Sequence, residues 1–204
     1  MKPFPDLLDV LPTLPVRAFV GVLYRAVSYS VLHGVHASNP HVPNPLFAEG
    51  PPTAGARFTP RGGMPSLYLA SDRSTADLEA NQAYLLVQQI NPAAVPGPPA
   101  TVLLTARVQL DAMLDVTEPS VQALLDTTPA ELTSPWRTLQ PRGQRAPTQD
   151  LGAAVHQTRR AQAIWYPSAV SGGRQCIVVF TDLLTPTSFI EIYDPGTVLA
   201  RRIP

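Results

Sequence analysis

The chain has 204 residues, enough to bury a sizeable core in one domain, and its fifteen Lys+Arg against fifteen Asp+Glu leave no formal net charge. A balanced chain has no long-range field to draw nucleic acid or anionic membrane, and a single cysteine excludes an internal disulfide and fits a reducing compartment. No apolar run approaches the ~20 residues that cross a bilayer, and the proline-punctuated start lacks the layout of a secretory leader, so a soluble, cytoplasmic protein is expected.

In chain order, Asp6 to Leu11 reads as a short helix stopped by Pro12 and Pro15. Phe19 to Val27 reads as a strand with Arg25 near its end. Residues 29–55 carry five prolines without periodicity and read as a long loop. A compact unit follows: a short strand carrying Arg57, a turn through Pro60, Gly62 and Gly63, a second strand carrying Tyr68, and a helix carrying Glu79. Ser74 or Thr75 is expected to cap that helix, with Asp77 in its first turn. Ala76, Ala80, Ala83, Leu86, Val87 and Ile90 recur at helical spacing, so this stripe is expected to face a core. Glu79 lies at the edge of the stripe. A carboxylate there is costly unless something pairs with it, and Arg57, Arg61 and the Tyr68 hydroxyl are the partners at hand, with Arg73 or plain solvent as the bland outcomes.

Beyond a proline-rich connection at Asn91 to Ala100, Thr101 to Leu110 alternates as a strand and Glu118 to Leu125 forms a helix opened by Pro119. Residues 127–149 turn to Thr, Pro, Arg and Gln and read as irregular, with one short helix at Pro129 to Thr133. Asp150 to Ala163 reads as a helix, Ala163 to Ser168 as a strand, Ser171 to Arg174 as a turn, and Gln175 to Phe180 and Phe189 to Tyr193 as the last strands. Cys176, flanked by Gln, Ile, Val and Val, is expected as inert packing. There is no internal repeat, and one α+β domain is the simplest reading.

His33, His36 and His41 cluster in the proline-rich loop, but no Cys pair or His-Glu helix accompanies them, and no metal site is expected. There is no Gly-x-Ser-x-Gly elbow; a hydrolytic Ser168 would need a distant histidine such as His156 to approach it. Neither Gly62-Gly63 nor Gly172-Gly173 is followed by the Lys-Ser/Thr of a phosphate loop.

Leu-Tyr-Arg-Ala-Val at 23–27, Gly-Ala-Arg-Phe at 55–58, Leu-Tyr-Leu-Ala at 67–70, Glu79 in a helix, and Pro-Ser-Ala-Val at 167–170 together resemble the RES domain family, named for its recurring Arg, Glu and Ser. The resemblance runs from about Leu23 to Phe180, leaving residues 1–18 as an N-terminal extension. It implies a single domain with a split, mostly antiparallel sheet like that of ADP-ribosyltransferases. It also implies an NAD-consuming toxin, an NAD glycohydrolase or phosphorylase, neutralised by an antitoxin with an Xre-type helix-turn-helix domain. The alternatives are a mono-ADP-ribosyltransferase acting on a protein target and a non-catalytic module that binds a nucleotide or partner.

Carried onto matching positions, Glu79, Arg57 and Tyr68 are the expected catalytic residues, and Arg25, Arg57, Tyr68 and Ser168 the expected substrate-binding ones. The chemistry agrees. Breaking a nicotinamide–ribose bond passes through an oxocarbenium-like state that needs a fixed negative group nearby, while the diphosphate needs guanidinium forks. Weighed alone, each residue has a bland reading: arginines in structural ion pairs, a core tyrosine, a serine turning the chain after a proline.

Overall fold

Five strands rich in apolar residues close a ring, and this ring positions everything else. The structure is a computed structural model that describes residues 1–33, 43–91, 97 and 99–204. Strand β1, Arg17–Ser28, lies antiparallel to β3, Thr101–Asp115, from Phe19 opposite Leu110 to Ser28 opposite Thr101. The far end of β3 runs parallel to β4, Ala163–Pro167, which pairs with β5, Gln175–Phe180, which pairs with β2, Ser66–Ala70. The circuit returns to β1 through one register position, Tyr24 opposite Ala70, so β1 and β2 splay apart beyond it. Strands β6, Phe189–Tyr193, and β7, Arg201–Ile203, extend the other stretch of β3. The sheet is therefore split and mostly antiparallel, as the resemblance implies.

The two-residue repeat of the strands sorts side chains into two cores. Ile177 and Val179 join Leu23, Leu69, Leu104 and Val108 in one. Cys176, Val178 and Phe180 join the other, which is covered by helices α1 (Phe4–Val10), α6 (Pro119–Leu125) and α8 (Pro147–Thr158). Leu7, Leu11 and Leu14 are fully buried in that second core, so the N-terminal extension is part of the fold.

Several expectations shift. The proline-rich loop holds two short helices, α2 (Tyr29–Leu32) and α3 (Gly50–Ala54); His36 and His41 lie outside the described residues, and His33 ends α2 with its ring 4.3 Å from that of Tyr29. Strand β3 continues to Asp115, because Gln162 and Ser188 side chains accept the Asp111 backbone N–H where alternation fails. Helix α8 starts earlier than Asp150, since Gln149 accepts the Ala146 N–H and Pro147 needs no partner for its own nitrogen; it stops at Thr158, where Arg159 adopts φ 52.

The helix over residues 74–90 is two helices, α4 (Arg73–Ala80) and α5 (Gln82–Ile90), divided at Asn81. The Asn81 amide donates to the backbone and side-chain oxygens of Asp77, competing locally with helix continuation. Of the apolar stripe, only Ala76 reaches the core; Ala80 and Ala83 are exposed. Leu86, Val87 and Ile90 are 47%, 48% and 85% exposed. No helix among the described residues is long and apolar enough to cross a membrane.

Candidate active site

Helix α4 lies over the seam where β1 and β2 splay, and its N-terminus is fixed by Asp72. That residue has extended backbone, and its carboxylate accepts from the Thr75 N–H at 3.0 Å and from the Ser74 and Thr75 hydroxyls at 2.7 Å each. Ser74 and Thr75 are already helical, so they donate to the cap instead of forming it, and Asp77 falls beyond the first turn. The Ser74 hydroxyl above all, then the Thr75 N–H, hold the Asp72 carboxyl down at about 2, against an ordinary 3.8. Asp72→Ala is expected to destabilise the protein by about 1 kcal/mol. Because the folded state lowers this pKa, the stabilisation is complete above pH 3.8 and is lost as pH falls through about 2. Urea melts of both proteins should converge over that window.

At the other end of α4, Glu79 meets the loop after β4. Its Oε1 accepts from the Ser168 hydroxyl at 2.7 Å and the Ala169 N–H at 3.1 Å, with the Cys176 thiol 3.9 Å away. Ser168 is held in turn: its Oγ accepts from the N–H groups of Val170 and Ser171. Among the described residues Oε2 has no protein partner, and Glu79 has no cation within 4.0 Å. Arg61, weighed as one, is exposed and donates to the Ala54 carbonyl, while Arg73 lies over the Tyr24 ring. His156 is paired with Asp182 at 2.7 Å, so it does not serve Ser168. Cys176 is 2% exposed, and burial together with the Glu79 charge pushes its thiol far above the ordinary range, keeping it protonated.

Arg57 sits in a turn closed by an antiparallel bridge between Ala56 and Thr59, not on a strand. The expected strand is too short to pair because Tyr68 organises the turn from below. The Tyr68 hydroxyl accepts the Phe58 N–H at 3.0 Å and shares a hydrogen bond with Thr59 at 2.9 Å, and burial raises its pKa to about 12. Arg57 itself is 5% exposed; its Nη1 donates to the carbonyls of Leu132 and Ser134, at 3.0 and 2.8 Å. Arg25 is 9% exposed, with its two Nη atoms donating to the Tyr68 and Phe47 carbonyls and its Nε buried without a partner. Burial lowers its pKa to about 10, which leaves it cationic at neutral pH.

Arg25, Arg57, Tyr68 and Glu79 line one cleft that encloses about 700 Å³ of space open to solvent. Ser168 lies behind Glu79 instead of in the cleft wall. The sequence did not single out Tyr166, Gln82, Trp136 and Arg137, which also line it. The Trp-Arg pair comes from the segment that read as irregular; a large aromatic in a stretch without periodicity was the one available signal. Arg137 lies 4.4 Å over the Trp136 ring and its Nη1 donates to Gln82 Oε1 at 2.6 Å. Of the described residues lining the cleft, Glu79 is the one carboxylate, against three guanidinium groups.

A family model for the RES domain matches residues 21–191. No curated protein sequence matches the chain. Among solved structures, a chain of the M.tuberculosis MbcT-MbcA toxin-antitoxin complex superposes with a TM-score of 0.61, covering 93% of this chain and 90% of that one at 17% identity. At that identity the likeness is one of fold.

Proposed function

Because this chain belongs to the RES domain family, we propose that it cleaves the nicotinamide–ribose bond of NAD, passing ADP-ribose to water or phosphate, and that it is the toxin of a toxin–antitoxin pair. The observation that carries the reading is the division of labour in Glu79: Oε1 is saturated by Ser168 and Ala169, and Oε2 keeps its full accepting capacity in a cleft lined by arginines.

When the glycosidic bond of NAD breaks, its electron pair leaves with the pyridinium nitrogen. Nicotinamide departs neutral and needs no proton, so a single carboxylate suffices. The positive charge that develops at the ribose carbon is what a fixed carboxylate stabilises, through space and by accepting hydrogen bonds from the ribose hydroxyls. Ser168 and Ala169 spare Glu79 the reorganisation it would otherwise need. Arg25 and Arg57 place positive charge near the diphosphate, and the Tyr68 ring offers a face for nicotinamide while its hydroxyl holds the Arg57 turn. The oxocarbenium is then captured by the acceptor oxygen, which loses its proton to solvent.

The neighbouring fold comes from a toxin–antitoxin complex, which supports a protein antitoxin as partner; an Xre-type helix-turn-helix antitoxin is the one the family resemblance implies. The test is incubation of purified protein with NAD labelled in its adenylate half. Free nicotinamide with labelled ADP-ribose or its phosphate is expected. Label on protein would redirect the reading to a macromolecular acceptor, and no loss of NAD would overturn it.

A further inference from the structure

The three guanidinium groups of the cleft are not equivalent donors. Arg25 has committed both Nη atoms to backbone carbonyls, and Arg57 has committed Nη1 to two of them, so both are pinned against the protein and nearly buried. Arg137 is exposed at the rim. Its one hydrogen bond goes to a neutral amide, that of Gln82, and among the described residues Nε and Nη2 have no partner and no carboxylate lies within 4.0 Å of it. It is nevertheless held in place, since the guanidinium lies on Trp136. A side chain so placed has surrendered much of its rotamer freedom in advance while keeping a fork of donors unused.

The charge count points the same way. Three cations against one carboxylate leave the cleft lining two positive charges in excess. Partial burial first, and then repulsion from Arg57, lower the Arg137 pKa, with Glu79 partly opposing. An anion with two negative charges removes that imbalance, and the diphosphate of a dinucleotide carries two.

We infer that Arg137, stacked on Trp136, is the residue that grips the substrate diphosphate, exchanging its contact with Gln82 for phosphate oxygens. The inference rests on the reading of the cleft as a dinucleotide site. It gives the stretch from the last residue of α7 (Pro129–Leu132) to Arg137 two tasks: the carbonyls of Leu132 and Ser134 anchor Arg57, and the Trp-Arg pair recognises the charged centre of the substrate. Arg137 touches substrate away from the broken bond, so its effect falls on binding.

The test uses ADP, which carries the diphosphate but no nicotinamide bond, and adenosine, which lacks phosphate. Calorimetry on the wild type and on Arg137→Met, whose unbranched stem still covers Trp136, should show ADP affinity falling about 10- to 100-fold with adenosine affinity unchanged. KM for NAD should rise by a similar factor with kcat held within about 3-fold. Arg137→Lys should recover part of the loss, since charge returns without the fork. Unchanged ADP affinity in Arg137→Met overturns the inference, as does an equal loss for adenosine, which would mark a packing role, or a wild type that binds no ADP. ADP binding that depends on Arg137 in a protein that releases no nicotinamide from NAD leaves the inference standing and overturns the proposed reaction.

Discussion

Glu79→Gln should lower the rate of NAD consumption on the order of 10²- to 10³-fold, the loss that follows removal of one preorganised electrostatic contact to a developing charge. The substitution is nearly isosteric, and the amide oxygen can still accept from Ser168 and Ala169, so the fold has no reason to fail. A thermal midpoint within about 4 °C of wild type is expected, equivalent to less than about 1–2 kcal/mol for a chain of this length. Ser168→Ala should give a smaller loss in kcat, because the Ala169 N–H still holds Oε1 while one bond is gone. Nicotinamide release measured on purified, folded Glu79→Gln decides the matter. Turnover at the wild-type rate would remove this carboxylate from the chemistry.

The largest expected effect on stability comes from a residue with no chemistry of its own. A Cβ built on Gly152, in the middle of α8, would stand 1.9 Å from the Phe58 carbonyl oxygen and 2.8 Å from its carbon. Both are backbone atoms of the turn that carries Arg57, so neither a rotamer change nor a small slide relieves the clash. Either α8 moves off the core or the turn moves off Tyr68. Gly152→Ala should therefore destabilise the protein by about 3 kcal/mol, at the upper end of overpacking costs, and lower the thermal midpoint by about 6–12 °C. NAD turnover measured well below that midpoint should also fall, because Arg57 is displaced with its turn. Gly172→Ala is the control: nothing lies within 4 Å of its Cβ, and its stability should match wild type. A Gly152→Ala protein as stable as wild type would show that the helix and turn are less tightly apposed than these distances require.

The irregular segment was the hardest part of the chain to read, and the reason is physical. Periodicity reports which face of a regular element is buried, and the residues around Trp136 form a single helical turn, Trp136–Thr138, with no face to report. The same limit explains Leu86, Val87 and Ile90. Their spacing is helical and they do lie on a helix, but spacing does not say whether a core exists on that side, and the break at Asn81 carries α5 away from it. Arg57 is a different case. Its neighbours resemble a strand, yet strand formation needs a partner at the right register, and the bridge between Ala56 and Thr59 turns the chain back on itself first.

By itself the sequence determined the elements and their character: alternating apolar residues made β3, a continuous apolar run made β5, Pro119 opened α6, and five short motifs in order placed Arg25, Arg57, Tyr68, Glu79 and Ser168 in a family. Only the tertiary structure decided what those residues touch. Ser168 and Glu79 are 89 residues apart and Arg57 and Ser134 are 77 apart, and both contacts exist because the ring of strands closes and leaves a seam between β1 and β2. Hydrogen bonds between distant segments depend on where the chain as a whole brings them, and no local pattern encodes that distance. This is why the acid was legible in advance, while the oxygen it keeps free and the arginine across the cleft were not.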